Sequence, residues 1–190
     1  MSELVITIGR ENGSGGREVG RILSETLGIP CYDSQIISET AKKAGLTEKD
    51  VEKKEEKDDG NIISYWGIPS ANPLFATQSE IITDLASKGS CIFIGRCADH
   101  VLGGRDDVVR VFIHAPIGAR ILRSAERNGI SEKEAYERIR KNDSERASYY
   151  QRYTGKLWGA VGNYDLTLNT GMIGTDGAAK IIMDFIKKRK

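Results

Sequence analysis

The chain has 190 residues, of which 39% are hydrophobic and 29% charged, and its formal net charge is +1. That length allows one well-buried domain, and the composition is that of an ordinary globular protein. A near-neutral balance gives no support to a general nucleic-acid or anionic-membrane binder, so an anionic ligand must be held by a local cluster of cations. Cys31, Cys91 and Cys97 form no C-x-x-C pair, and His100 and His114 are the two histidines. This argues against a zinc site and for reduced, buried thiols. A strand beginning at Leu4, with no apolar run near the ~20 residues that span a bilayer, predicts a cytoplasmic protein without a signal peptide.

The first element is the β-branched run Leu4–Ile8, a buried strand. A glycine-rich stretch from Gly9 to Gly16 follows. Arg17–Leu27 has helical spacing, with Val19, Ile22, Leu23 and Leu27 on one face and Gly28 as its C-cap. Ile29–Tyr32 reads as a second strand ending at Asp33, and Ser34–Ala44 as a second helix. Thr47–Asp59 is dense in charge and reads as a solvated helix or flap, and Gly60–Pro73, with Tyr65 and Trp66, as a loop. Together they predict a mobile flap from about Thr47 to Pro73. Leu74–Lys88 is an amphipathic helix, Cys91–Ile94 a third strand, Val109–Ile113 a fourth and Ile117–Asn128 a helix. Ser131 with Glu134 three residues on is a capping signature for a long polar helix reaching Tyr153. Asp165–Leu168 is a fifth strand, and Gly177–Lys188 closes the chain as a helix. Five short apolar strands separated by helices predict a mostly parallel sheet covered on both faces. Its functional loops then lie beyond the carboxyl ends of the strands.

The loop Gly9–Glu18 sits between a strand and a helix, where glycines admit φ > 0 and bring backbone N–H groups close to phosphate oxygens. The pattern G-x-x-x-x-G-K-[ST] is not met. With Gly15 as the last loop glycine, Gly16 stands in the lysine position, Arg17 in the Ser/Thr position and Arg10 at the first glycine. A dinucleotide fingerprint is also incomplete, with Glu18 in its third glycine position, although Asp33 is placed like a ribose-binding acid. On the loop alone, a phosphate cradle, a dinucleotide site and a merely structural glycine turn all stay open.

Further strings narrow the reading. They are Ile8-Gly-Arg-Glu-Asn-Gly-Ser-Gly-Gly-Arg-Glu18, Tyr32-Asp33, Gln78-Ser-Glu80, Ile94-Gly-Arg-Cys-Ala-Asp99, Arg110-Val-Phe-Ile-His-Ala-Pro116, Arg146-Ala-Ser-Tyr-Tyr150 and Tyr153-Thr-Gly-Lys156. Over nearly its whole length the chain resembles the cytidylate-kinase-like family of P-loop nucleoside-monophosphate kinases. The resemblance implies a single P-loop α/β domain over residues 1–190, a five-stranded sheet of order 2-3-1-4-5, an acceptor-binding region at 34–88 and a helical lid at 131–158. It also implies transfer of the γ-phosphoryl group of ATP to CMP or dCMP, with Mg²⁺, nucleotides being the partners.

Residue by residue, the resemblance places Ser34 and Arg96 against the acceptor. Cys97 stands where an aspartate is expected, with Asp99 one helical turn from Arg96 as its replacement, and Glu39 lies where an arginine is expected. Asp33, Gln78 and Tyr150 complete the expected acceptor set. The donor phosphates fall to Arg10, Asn12, Gly13, Ser14, Gly15, Gly16, Arg17 and Glu18, with Arg120 and Arg123 flanking the ATP base. Phosphoryl transfer asks for positioning and charge neutralisation, which the guanidinium fork supplies. Arg17, Arg140 and Arg146 are therefore the expected catalytic cations, and Arg17 takes over from the missing lysine. The alternative reading is a regulatory or sensor domain that binds nucleotide without turnover, favoured by glycine in the lysine position.

Overall fold

The computed structural model describes residues 3–49 and 73–189. Most of the charge-rich flap, with Tyr65 and Trp66, lies outside the described residues. The strands are β1 (Val5–Arg10), β2 (Cys31–Tyr32), β3 (Cys91–Ile94), β4 (Val108–His114) and β5 (Leu166–Asn169). They form one sheet in the order β2-β3-β1-β4-β5, every neighbouring pair parallel. The expected order is thus borne out, with β1 at the centre, pairing Val5 with both Cys91 and Val108.

Side chains alternate across a strand, and both faces of this sheet are covered. Ile6 and Ile8 of β1, with Ile92, Ile94, Val109, Val111 and Ile113, pack against α1 (Gly16–Leu27) and α7 (Thr170–Lys188) through Val19, Leu23, Ala178 and Ile182. Val5, Cys91, Phe93 and Val108 pack on the opposite face with Ile36 of α2 (Ser34–Ala44) and with Ile81, Ile82 and Leu85 of α3 (Pro73–Ala86). None of the three cysteines forms a disulfide; Cys91 and Cys97 are buried and Cys31 partly so. Burial pushes the Cys31 and Cys91 thiols up to about 11, leaving them protonated and unreactive.

The remaining helices among the described residues are α4 (Ala98–Val101), α5 (Ile117–Asn128) and α6 (Glu132–Thr154). α6 opens with the expected capping box: Glu134 N donates to Ser131 Oγ at 3.2 Å, and Ser131 N to Glu134 Oε2 at 2.9 Å. α4 and a short 3₁₀ turn at Val161–Asn163 were not expected. α7 starts seven residues earlier than its sequence pattern indicates, because Gly174 interrupts the helix (φ 68°, ψ 174°) and hides its first turn. Among the described residues no helix is long and apolar enough to cross a membrane.

Candidate functional site

β1 delivers the chain to the glycine loop at the carboxyl edge of the sheet. Gly13 (φ 77°) and Gly15 (φ 85°) adopt the left-handed conformation that side chains disfavour. A Cβ on Gly13 would also meet the Arg120 carbonyl oxygen at 2.8 Å. Gly15 precedes α1, and no side chain caps that helix. Its first-turn amides therefore begin where an anion would be favoured. Gly15, Gly16 and Arg17 line a cleft of about 150 Å³ with Arg123, Arg127, Arg138 and Arg146.

The missing lysine has a structural explanation. A Cβ on Gly16 would lie 2.6 Å from Arg10 Cβ and 2.9 Å from its Cγ. The Arg10 side chain thus passes over Gly16 and runs on to Gly95, where an added Cβ would collide with its Nη1. Arg10, rather than Arg17, fills the space beside the lysine position. Arg17 turns to Asp33, its Nε 2.5 Å from Oδ2, while Arg10 Nη2 lies 3.6 Å from Oδ1 of the same carboxylate. Asp33 makes no side-chain cap on α2 and instead faces these two arginines. Arg10 is crowded by Arg146, Arg96 and Arg17, and burial with these like charges pushes its pKa down to about 9. Burial likewise lowers that of Arg146. Such a cluster is relieved by an incoming anion.

α6 lies against the loop. Asp143 Oδ1 accepts from Asn12 N at 2.7 Å, its Oδ2 pairs with Arg120 at 2.5 Å, and Arg146 Nη1 donates to Arg10 O at 3.2 Å. Asp143 had no marker in the sequence; a carboxylate in a polar helix looks like any surface charge. Asp143→Ala is expected to cost about 2 kcal/mol, since it removes the shortest ion pair of the largely buried Arg120 and strands the Asn12 amide. A thermal melt should show a Tm drop of about 4–8 °C; an unchanged Tm would remove Asp143 as the clip.

A second cleft of about 350 Å³ opens on the β3 side of the loop. Gly95, Arg96 and Cys97 all have positive φ there (70°, 59° and 53°), and Arg96 and Cys97 pay the steric cost that glycine does not. Asp99, Tyr149, Tyr150, Trp158 and Tyr164 line its far end. Tyr150 Oη donates to Asp99 Oδ2 at 2.6 Å. Burial raises the Asp99 carboxyl above its ordinary value, partly offset by that hydrogen bond. The folded state therefore takes up this proton before the unfolded state does, and the charged form costs stability at neutral pH, a cost that fades as pH falls through the raised pKa. Asp99→Asn, which keeps an acceptor for Tyr150, is expected to melt above the parent at pH 7, with the gap closing toward about pH 4. A variant melting below the parent at pH 7 would contradict this.

Several expected site residues stand elsewhere. Ser14 is fully buried, its hydroxyl donating to Glu11 O and Ile113 O, so it braces the loop from inside. Glu18 pairs with Arg21 on the outer face of α1. Ser34 is exposed and lines neither cleft. Gln78 is buried behind the wall, accepting from Tyr149 Oη at 2.7 Å. Arg120, expected beside the ATP base, is buried between Asn12 O, Glu11 and Asp143 and lines neither cleft. Arg140 is exposed and lies over the Tyr136 ring. Arg138, two residues earlier and about 200° around the helix, is the one that reaches both clefts. Arg123 does reach the loop, its Nη1 donating to Gly13 O at 2.8 Å. Arg127, which the sequence reading missed, follows it at helical i+4 spacing, a pattern that marks the same face.

Comparison with known proteins agrees with this architecture. Cytidylate kinase of Methanothrix thermoacetophila is 29% identical over 188 residues, covering 98% of this chain and 100% of that protein. Cytidylate kinase of Methanopyrus kandleri is 27% identical, covering 94% of this chain and 91% of its own. A crystal structure of a protein from Eubacterium ventriosum superposes with a TM-score of 0.79 at 28% identity, covering 98% of this chain and 100% of that one. Shikimate kinase from Bacteroides thetaiotaomicron, at 11% identity and a TM-score of 0.59 over 98% of this chain and 99% of its own, shares the fold. The sequence model of the cytidylate kinase-like family matches residues 5–172, and the chain belongs to that family.

Proposed function

We propose that the protein transfers the γ-phosphoryl group of ATP to a nucleoside monophosphate, CMP or dCMP. One observation carries this reading: Arg10, Arg17, Arg138 and Arg146 line both clefts. The smaller cleft, with the start of α1, Arg123 and Arg127, takes the donor phosphates. The larger takes the acceptor, its phosphate at Arg96 and its base among Asp99, Tyr149, Tyr150 and Trp158. A phosphate oxygen of the acceptor attacks the γ-phosphorus, the bond to the β–γ bridging oxygen breaks, and ADP leaves. The shared arginines stand where charge spreads over the transferring group. α6 and the chain to Trp158 form the lid of this reaction. The oxygen donors around the loop do not fit a protein-held magnesium ion, and no step is assigned to one.

The nucleotide-binding regulatory reading draws on the Arg17–Asp33 ion pair, which ties up a cation at the loop. ADP release, measured with CMP, dCMP, UMP, AMP and small hydroxy acids, separates the two. CMP or dCMP turnover is expected. ATP binding with no acceptor-dependent ADP release would replace the enzyme by the regulatory domain, and turnover of hydroxy acids alone would replace the acceptor.

A further inference from the structure

We propose that this chain engages the donor's phosphate chain with guanidinium groups in place of a protein-held magnesium ion, so that nucleotide binding does not require the metal. The inference rests on the nucleotide reading of the two clefts. Magnesium demands near-octahedral oxygen ligation and is usually held by one or two carboxylates together with substrate phosphates. In P-loop enzymes a loop Ser/Thr and an acid supply the protein's share.

Most of the candidate side-chain oxygens here are committed elsewhere. Arg17, a cation, stands in the Ser/Thr position. The hydroxyl of Ser14 is fully buried and donates to Glu11 O and Ile113 O. Glu11 Oε2 accepts from Ala115 N at 3.1 Å and lies 3.4 Å from Arg120 Nε. Asp143 holds Asn12 N and Arg120. Glu145 pairs with Lys141. Asp33 Oδ2 is held by Arg17. Asp33 Oδ1 is buried without a hydrogen bond, but Arg10 Nη2 stands 3.6 Å away, so this oxygen already faces a cation. Among the described residues, no group of three or more His, Cys, Asp or Glu side chains could hold a metal.

The local charge points the same way. Arg10 feels Arg146, Arg96 and Arg17 as like charges, against the single carboxylate of Asp33. A divalent cation brought into this cluster is repelled by four guanidinium groups. A polyphosphate is attracted, and free ATP carries more negative charge than its magnesium complex. Arginine forks bind phosphate oxygens in pairs, so charge that magnesium would neutralise is met by side chains.

Calorimetric titration of the full chain with ATP, in EDTA and in excess magnesium chloride, tests this, with a thermal melt in magnesium chloride alone. ATP is expected to bind in EDTA at least as tightly as with the metal, and magnesium alone to leave Tm unchanged. Arg10→Ala is expected to weaken metal-free binding by about tenfold and binding of the magnesium complex by less. ATP binding that appears only with magnesium, or is about tenfold tighter with it, overturns the inference and leaves the nucleotide reading standing. Absence of ATP binding under both conditions overturns the nucleotide reading as well.

Discussion

Arg10→Ala is expected to lower acceptor-dependent ADP release by about a hundred- to thousandfold, the range in which a single preorganised electrostatic contact acts (~3–4 kcal/mol). Arg10 has this weight because its side chain occupies the space beside Gly16 and borders both clefts. It is also largely removed from solvent, with 11% of its side chain exposed, where a charge acts on a phosphoryl group with little screening. The fold should survive. Burial among like charges disfavours the Arg10 cation, so its removal relieves the folded state, and Tm should hold or rise. Arg10→Lys should recover part of the rate, since lysine returns the charge without the fork. Arg17→Ala should cost less than Arg10→Ala, because the Arg17 side chain is 54% exposed and already paired with Asp33. If Arg10→Ala turned over within about threefold of the parent while Arg17→Ala did not, the catalytic cation would be Arg17.

Gly16→Lys, which restores the residue of the common P-loop, is expected to abolish most activity. The new Cβ would lie 2.6 Å from Arg10 Cβ, so either β1 and α1 separate or the Arg10 side chain leaves its track. Overpacking of this kind costs about 1–3 kcal/mol, read as a Tm lower by about 2–12 °C, and the displaced guanidinium takes its contribution to the rate with it. Gly16→Ala should show the same clash without adding a charge, which separates sterics from electrostatics. The double variant Arg10→Gly/Gly16→Lys removes the contacting atoms and should exceed Gly16→Lys in both Tm and ADP release. A Gly16→Lys enzyme as stable and active as the parent would mean that Arg10 does not hold the lysine's place.

Most of the architecture was legible in the sequence because each element carries a local period. Cys91–Ile94, Ser34–Ala44 and Ile117–Asn128 appear with the expected bounds, since short apolar runs and one-sided helices are set by residues a few positions apart. Ala98–Val101 and Val161–Asn163 escaped because three or four residues hold no full period. The strand order came with the family resemblance. The glycine loop, the arginine after β3 and the cationic polar helix were also visible as strings.

Where each guanidinium stands is visible in the tertiary structure alone. Counting along the chain puts Arg17 next to the lysine position; in space that volume is filled from the end of β1 by Arg10, across the turn. Counting makes Arg140 a lid cation, whereas helix phase turns it away from both clefts and lets Arg138 and Arg146 line them. Asp143 and Asn12 meet across 131 positions of sequence. Local spacing reports only on neighbours within a turn or a strand. An electrostatic site is defined by direction and distance between charges on separate elements, and those exist only once the sheet has brought β1, β3, α5 and α6 to a common edge.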